Sequence, residues 1–367
     1  MMKTLAVGDR LAPCPTLLPK PPGRLVSRWT TSVQRVPDRD TCHPRMRLSR
    51  FNPLHCGLNV TPATSLPISM SYPTIVGLGE ILWDLFPDGP RFGGAPANFA
   101  CTAAELGARV ATVEMVSAVG NDPLGEQALA ALRSHGVEVG GSPQIDFPTG
   151  TVLVELDSRG QATYTFASNT AWDNLAWSPT LADLARRTSL VCFGTLGQRA
   201  PTSRATIRQF VAATPETAWR LLDINLRPPH WCPEVVRESL PLANVVKLND
   251  HELAELSPLL DLSGPEPLRV EQLLRRYSLK LVALTRGERG SLLLNASGEQ
   301  SELPGTPVTV ADTVGAGDAF TAALALGLVL NQPLAEIHRR AAQVAAYVCT
   351  QCGATPGIPP EFQLKHS

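Results

Sequence analysis

The chain has 367 residues, 44% of them apolar, and a formal charge of −1 at pH 7, so it can bury a large core and reads as a globular protein of enzyme size. The charge is divided, because residues 1–70 hold ten of the 32 Lys/Arg but three of the 33 Asp/Glu. That leaves an acidic body, which argues against a nucleic-acid binder whose affinity rests on neutralising phosphates, and no apolar run reaches the roughly 18 residues of a membrane helix; small ligands are expected, with neither nucleic acid nor membrane as partner.

Residues 1–71 read as a disordered, basic, Pro-rich extension, with ten of the 33 prolines and no sustained hydrophobic period. Three readings of it stay open. It is Arg-rich and acid-poor like an organelle transit peptide; it is an upstream extension of a chain that starts at Met70, since "MSYPTIVGLGE" enters a strand almost at once; or it is a basic partner-binding arm. The eight cysteines are scattered rather than framed, which fits a reducing compartment and a cytoplasmic location.

From residue 72 to about 362 the pattern predicts one α/β domain. Short β-rich runs alternate with amphipathic ones: "TIVGLGE" then "APANFACTAAELG", "ATVEMVSAVG" then "DPLGEQALAALRSHG", "SLVCFGTLG" then "SRATIRQFVAAT". Such alternation builds βαβ units and a parallel sheet. One stretch breaks the rhythm. Residues 149–168, "TGTVLVELDSRGQATYTFAS", alternate apolar positions on either side of a turn at Asp157 to Gly160 and predict a β-hairpin. A hairpin inserted in a parallel fold has no place in the main sheet, so it is expected to project as a flap over a site, or else to add to a sheet edge. Its own edge offers a route to a homodimer by strand pairing. Further runs follow at "WRLLDINLR", "ANVVKLND" with "HELAEL", "KLVALTRGE" and "GSLLLNA", and two long helices close the chain, over 316–330 and 334–349.

The corner before the first of these helices, "DTVGAGDAF" at 312–320, carries chemistry. Backbone N–H groups at a helix start have no intrahelical partner and meet the positive end of the helix dipole, which makes an anion pocket from Gly315, Ala316 and Gly317. Asp318 would repel a resting phosphate. Its place beside the pocket suggests a general base that takes a proton from a hydroxyl attacking phosphorus, a role worth about 10²–10⁴-fold; an acidic residue stabilising a helix start is the other reading of the same position.

Together with "GGAPANFA" at 93–100, this corner resembles the signature pair of the ribokinase/PfkB family of carbohydrate kinases, and the likeness runs from about 74 to 358. "DINLRPPHW" at 223–231, "KLNDHE" at 247–252 and "TRGERGS" at 285–291 fall in the family's order. The resemblance implies a ribokinase-like three-layer sandwich, with a mostly parallel central sheet and a small β-lid. It implies phosphoryl transfer from ATP with Mg²⁺ to a sugar. Gly93 and Gly94 can bring backbone close to a polyhydroxylated ligand, and the Asn98 amide can donate to and accept from hydroxyls. Asp84 matches the carboxylate that accepts sugar hydroxyls. Asn249 and Glu252 match an N-x-x-E motif whose acid holds Mg²⁺ directly or through water, although a helix cap would look the same. Thr285, Gly287 and Gly290 resemble a nucleotide-contacting T-x-G-x-x-G, a spacing that taken alone is a hairpin turn. K⁺ activation is a further implication, through main-chain oxygens near Asp312, Val314 and Gly353.

Among the sugars, "DINLRPPHW" resembles the D-x-N-L-R-x-x-x-W stretch of fructokinases, with Arg227 toward the substrate side. "YTFASNTAWDNL" has Asn169 at the substrate-side position but Ser168 where those enzymes tend to carry an arginine. Fructose is the expected substrate; ribose, 2-keto-3-deoxygluconate and nucleosides stay open, as does a sugar-binding regulator without catalysis.

Overall fold

In the computed structural model the described residues are 72–156 and 162–365. The extension over 1–71 and the whole of the hairpin turn expected at Asp157 to Gly160 lie outside them. In chain order the elements are β1 (Thr74–Leu78), β2 (Leu82–Phe86), β3 (Gly89–Gly93), α1 (Ala95–Leu106), β4 (Thr112–Val116), β5 (Val119–Gly120), α2 (Pro123–Ser134), β6 (Gln144–Ile145), β7 (Gly150–Leu156) and β8 (Ala162–Phe166). They continue with α3 (Pro179–Arg187), β9 (Thr188–Phe193), α4 (Pro201–Ala213), β10 (Trp219–Asp223), α5 (Pro233–Ser239), β11 (Val245–Asn249), α6 (Asp250–Leu259) and α7 (Glu266–Arg276). The last are β12 (Leu281–Thr285), β13 (Ser291–Asn295), β14 (Gln300–Leu303), α8 (Ala316–Val329) and α9 (Leu334–Cys349).

Eight strands form the central sheet in the order β14-β13-β12-β11-β10-β9-β1-β4. The six from β12 to β4 in that order run parallel, β13 pairs antiparallel with β12, and β14 pairs antiparallel with β13. The parallel strands are apolar on both faces because both faces are covered. Successive side chains point to opposite sides, and this sorts the core into two layers. Ile75, Leu190, Cys192, Leu221 and Val245 pack with α1, α8 and α9. Val76, Val191, Phe193, Leu222 and Val246 pack with α3, α4, α6 and α7. Helices α1 and α8 are buried almost all round, α8 without a break from Ala319 to Leu328, as expected of helices inside a large core rather than on its surface.

The hairpin expected at 149–168 is β7 with β8. It belongs to a separate four-stranded sheet in the order β3-β2-β7-β8, in which β2 runs parallel to β7 and antiparallel to β3. The lid is thus twice the size of the hairpin read from sequence. Its β8 end is tied down by Arg199, whose Nε and Nη2 donate to the two Asp173 oxygens at 2.8 and 2.7 Å and whose Nη2 also donates to the Ala167 carbonyl. The same guanidinium lies 4.1 Å over the Trp172 ring, an arrangement that a lysine does not reproduce.

Candidate active site

Parallel strands deliver their carboxyl ends to one edge, and ligands of open α/β sheets bind there. Glu80 follows β1, Thr195 follows β9, Asp223 ends β10, Lys247 and Asn249 lie on β11, and Thr285 ends β12. Four strand spacings separate the first of these from the last, a span of about 19 Å. Helix α8 packs over the middle, on β9 and β10, and its first turn carries Asp318.

The turn into α8 needs glycine. Gly315 has φ +79°, and a β-carbon there would collide with the main chain of Ala354, so no other residue fits at this helix start. No side chain caps the first turn; the Ala316 N–H donates to the Thr313 carbonyl at 3.4 Å, and the Gly317 N–H, at the helix start, has no intrahelical acceptor. Asp318 Oδ2 accepts from Asn98 Nδ2 at 2.9 Å. Asn98 is itself buried and in the first turn of α1, and its Oδ1 has no hydrogen-bond partner among the described residues. A buried acceptor left open is costly, and a hydroxyl would satisfy it. The Asp318 pKa is raised to about 6, first by burial and then by the Asp223 carboxylate; the Asn98 hydrogen bond, Lys247 and Arg227 act in the opposite direction.

Two more acids flank this group. Glu80 is buried, and burial raises its pKa to about 7. One of its oxygens accepts from the Ala95 N–H at the start of α1, and the other has no partner among the described residues. A cavity of about 20 Å³ lies between Glu80, Thr195, Asp223 and Asp318, room for about one water. Asp84 on the lid strand β2 is raised to about 6, again by burial, with Arg227 and Arg91 opposing. Its Oδ2 would lie 3.0 Å from a β-carbon at Gly93, and one at Gly94, where φ is +109°, would meet the Glu80 carbonyl at 2.6 Å. Asp84, Gly93, Gly94, Asn98 and Asp318 therefore form one continuous wall from lid to α8. Arg227 is exposed and close enough to favour the ionised forms of Glu80, Asp84 and Asp318.

Other expected residues fall elsewhere. Asn169, in the left-handed region at φ 54°, lines a wider cavity of about 560 Å³ with Arg204, His230 and Trp231. Asn249 and Glu252 form a capping box: Asn249 Oδ1 accepts from the Glu252 N–H, and Glu252 Oε2 accepts from the Asn249 N–H, both at 2.8 Å. Glu252 Oε1 accepts from the Leu226 N–H at 2.9 Å, so this buried acid links the loop after β10 to the start of α6. Thr285, Gly287 and Gly290 sit at the β12–β13 corner, where Gly287–Arg289 forms a 3₁₀ turn. The Asp312 carboxylate accepts from the N–H groups of Val314 and Gly353 at 3.0 and 3.1 Å, which brings those residues together behind the α8 corner.

A model described as pfkB family carbohydrate kinase matches residues 89–361. The chain belongs to the pfkB family of carbohydrate kinases. A fructokinase of Klebsiella pneumoniae is 32% identical over 310 residues, which cover 79% of this chain and 97% of that protein. In structure, this sugar kinase is similar to an uncharacterized sugar kinase from Pyrococcus horikoshii in complex with ATP, at TM-score 0.64 and 27% identity over 77% of this chain and 94% of the other. It is also similar to a fructokinase from Vibrio cholerae O395 in fructose, ADP and calcium ion bound form, at TM-score 0.66 and 25% identity over 78% and 96% of the two chains. The expected three-layer α/β architecture with a mostly parallel sheet is the one found. Sequence reasoning on this kinase passed over Glu80, Asp223 and Lys247. Glu80 and Asp223 are single charged residues at the end of an apolar run, which read as the start of a loop, and Lys247 is a lone charge inside the run "VVKLN", which reads as an interruption of a strand.

Proposed function

We propose that this sugar kinase transfers the γ-phosphoryl group of ATP to a hydroxyl of fructose. The observation that carries the reading is the Asn98–Asp318 hydrogen bond, which joins the lid-side wall to the uncapped start of α8. A sugar held by Asp84, Gly93, Gly94 and the open Asn98 oxygen has its hydroxyl beside Asp318, which removes the proton. The N–H groups of Gly315, Ala316 and Gly317 stabilise charge gathering on the transferred group. Positioning and electrostatics supply most of the acceleration in such reactions. Similarity to fructokinases supports the choice of sugar, and Arg227 and Asn169 are assigned to the substrate side.

The nucleotide is assigned to the β11–β12 end, near Asn249, Thr285, Gly287 and Gly290, with Asp318 between it and the sugar. A divalent ion fits this edge only as a phosphate-bound, water-carrying ion, since both Glu252 oxygens already hold N–H groups and Mg²⁺ keeps much of its water when bound with nucleotides. Glu252 would hold it through water, and it would neutralise phosphate charge. Main-chain oxygens near Asp312, Val314 and Gly353 are assigned to K⁺, and rates in potassium salts are expected to exceed those in choline salts. Residues 72–362 are the kinase domain in this reading, acting in the cytoplasm, and the lid edge is the surface for a homodimer.

A coupled assay of ADP release across fructose, ribose, 2-keto-3-deoxygluconate and nucleosides tests the assignment. Fructose should give the highest kcat/KM. A higher value for another sugar overturns the substrate, and sugar binding without ADP release overturns the kinase.

A further inference from the structure

Asp223, the last residue of β10, is paired in register with Lys247, the middle residue of the neighbouring strand β11. Each residue is 6% exposed, and Lys247 Nζ donates to Asp223 Oδ1 at 3.1 Å. A buried ion pair is poor value as a source of stability, since removing both charges from water offsets most of their attraction. This pair has a second set of contacts. Asp223 Oδ2 accepts from Thr321 Oγ1 at 2.9 Å, one turn after Asp318. On the other side Lys247 Nζ abuts Gly317, where a β-carbon would come within 3.2 Å of the nitrogen. The pair therefore touches α8 immediately before and one turn after the acid, and β10 and β11 hold both its members in a rigid sheet.

We propose that the buried Asp223–Lys247 pair is a positioning element for Asp318, which fixes the height of the first turn of α8 and brackets the carboxylate between one negative and one positive charge. The proposal rests on the reading of Asp318 as the base. The other groups facing that acid are Glu80 from the end of β1, Asn98 from α1 and Arg227 from the loop after β10, while Glu252 from α6 acts on Lys247. Burial alone would discharge Lys247, but Asp223, Glu252 and Asp318 together raise its pKa above the ordinary lysine value. Lys247 therefore keeps its charge.

The two members have opposite effects on Asp318, and a purely structural pair does not. The test is kcat/KM for the sugar against pH at saturating ATP, a profile that reports the essential base of the enzyme before sugar binds. In Asp223→Asn the acid limb should move down by about one pH unit, and in Lys247→Met up by about one, the size expected of a close charge. The double variant should return toward the wild-type limb. Lys247→Arg keeps the charge and should keep the limb while losing kcat by crowding Gly317, so the test survives if Lys247→Met does not fold. Limbs that stay fixed, or move in the same direction in both single variants, overturn the proposal. Asp318→Asn separates the two levels: full turnover there removes the base and this proposal together, whereas lost turnover with unmoved limbs removes the positioning role alone.

Discussion

Two buried polar clusters lie on the same sheet and have opposite characters. At the antiparallel end, His338 of α9 is fully buried with its Nε2 2.7 Å from Ser291 Oγ and its Nδ1 2.8 Å from Ser301 Oγ. Beside it Arg286 donates to Glu266 and Glu302 at 2.6 and 2.8 Å. Every charge there has its opposite and both ring nitrogens have a partner. At the carboxyl edge, Glu80, Asp223 and Asp318 line one small cavity, Lys247 donates to Asp223 alone, and oxygens of Glu80 and Asn98 have no partner among the described residues. A closed network rigidifies a fold, while an open and like-charged one is held together by the surrounding structure and is ready for a ligand.

The contrast can be broken most directly at Asp318. Asp318→Asn should lower turnover at least about 100-fold with thermal stability equal or higher, because the change removes a charge that burial and Asp223 both disfavour; steady-state kinetics and a melting curve check it. Asn98→Ala should cost about 10–100-fold in kcat/KM, as a hydrogen bond to a charged group is worth about 1.5–3 kcal/mol, and should raise the acid limb of the rate profile. In the wild type that limb should lie near pH 6, the value to which Asp318 is raised, with activity lost below it as the base takes up its proton.

The smallest effect is on stability, and it has opposite signs in the two clusters. His338 is lowered from 6.5 to about 4, first by burial and then by Arg286. The unfolded chain thus binds more protons in that window, and the His338 contribution is intact above pH 6.5 and lost as pH falls toward 4. Asp318, raised from 3.8 to about 6, contributes in the other direction, losing stability as pH rises through that range. His338→Gln should therefore flatten the acid-side fall in melting temperature and leave kcat/KM within about two-fold of wild type, since substitutions that touch no substrate act through stability. A His338→Gln enzyme with the stability profile of wild type, or with tenfold lower kcat/KM, would erase the distinction between the clusters.

Much of this was legible in the sequence, for physical reasons. Long apolar periods mark α8 and α9, and strict alternation marks β7, because each has a buried face to declare; β8 is marked by its alternation and its turn, although Tyr164 is exposed. The β2–β3 half of the lid declares nothing of the kind: "LWDLF" and "GPRFG" are short, mix buried with exposed positions, and carry a proline and glycines that read as turn. Asp318 stood out because glycines surround it. Asp223 and Lys247 did not, since what makes them a pair is a register across two strands more than twenty residues apart, and register is a property of the folded sheet. Glu252 shows the limit from the other direction, as its N-x-x-E spacing serves a helix cap whatever else it serves.

The αL glycine at the mouth of α8 leans on the main chain of Ala354, and Asp312 is tied to Gly353. The back of the α8 corner is thus built from chain that follows the last helix, dozens of residues downstream of Asp318. Clipping or displacing that tail would blunt the enzyme without altering one reacting atom, and a tail-directed antibody or a protease cut after Cys349 would act as an inhibitor from behind.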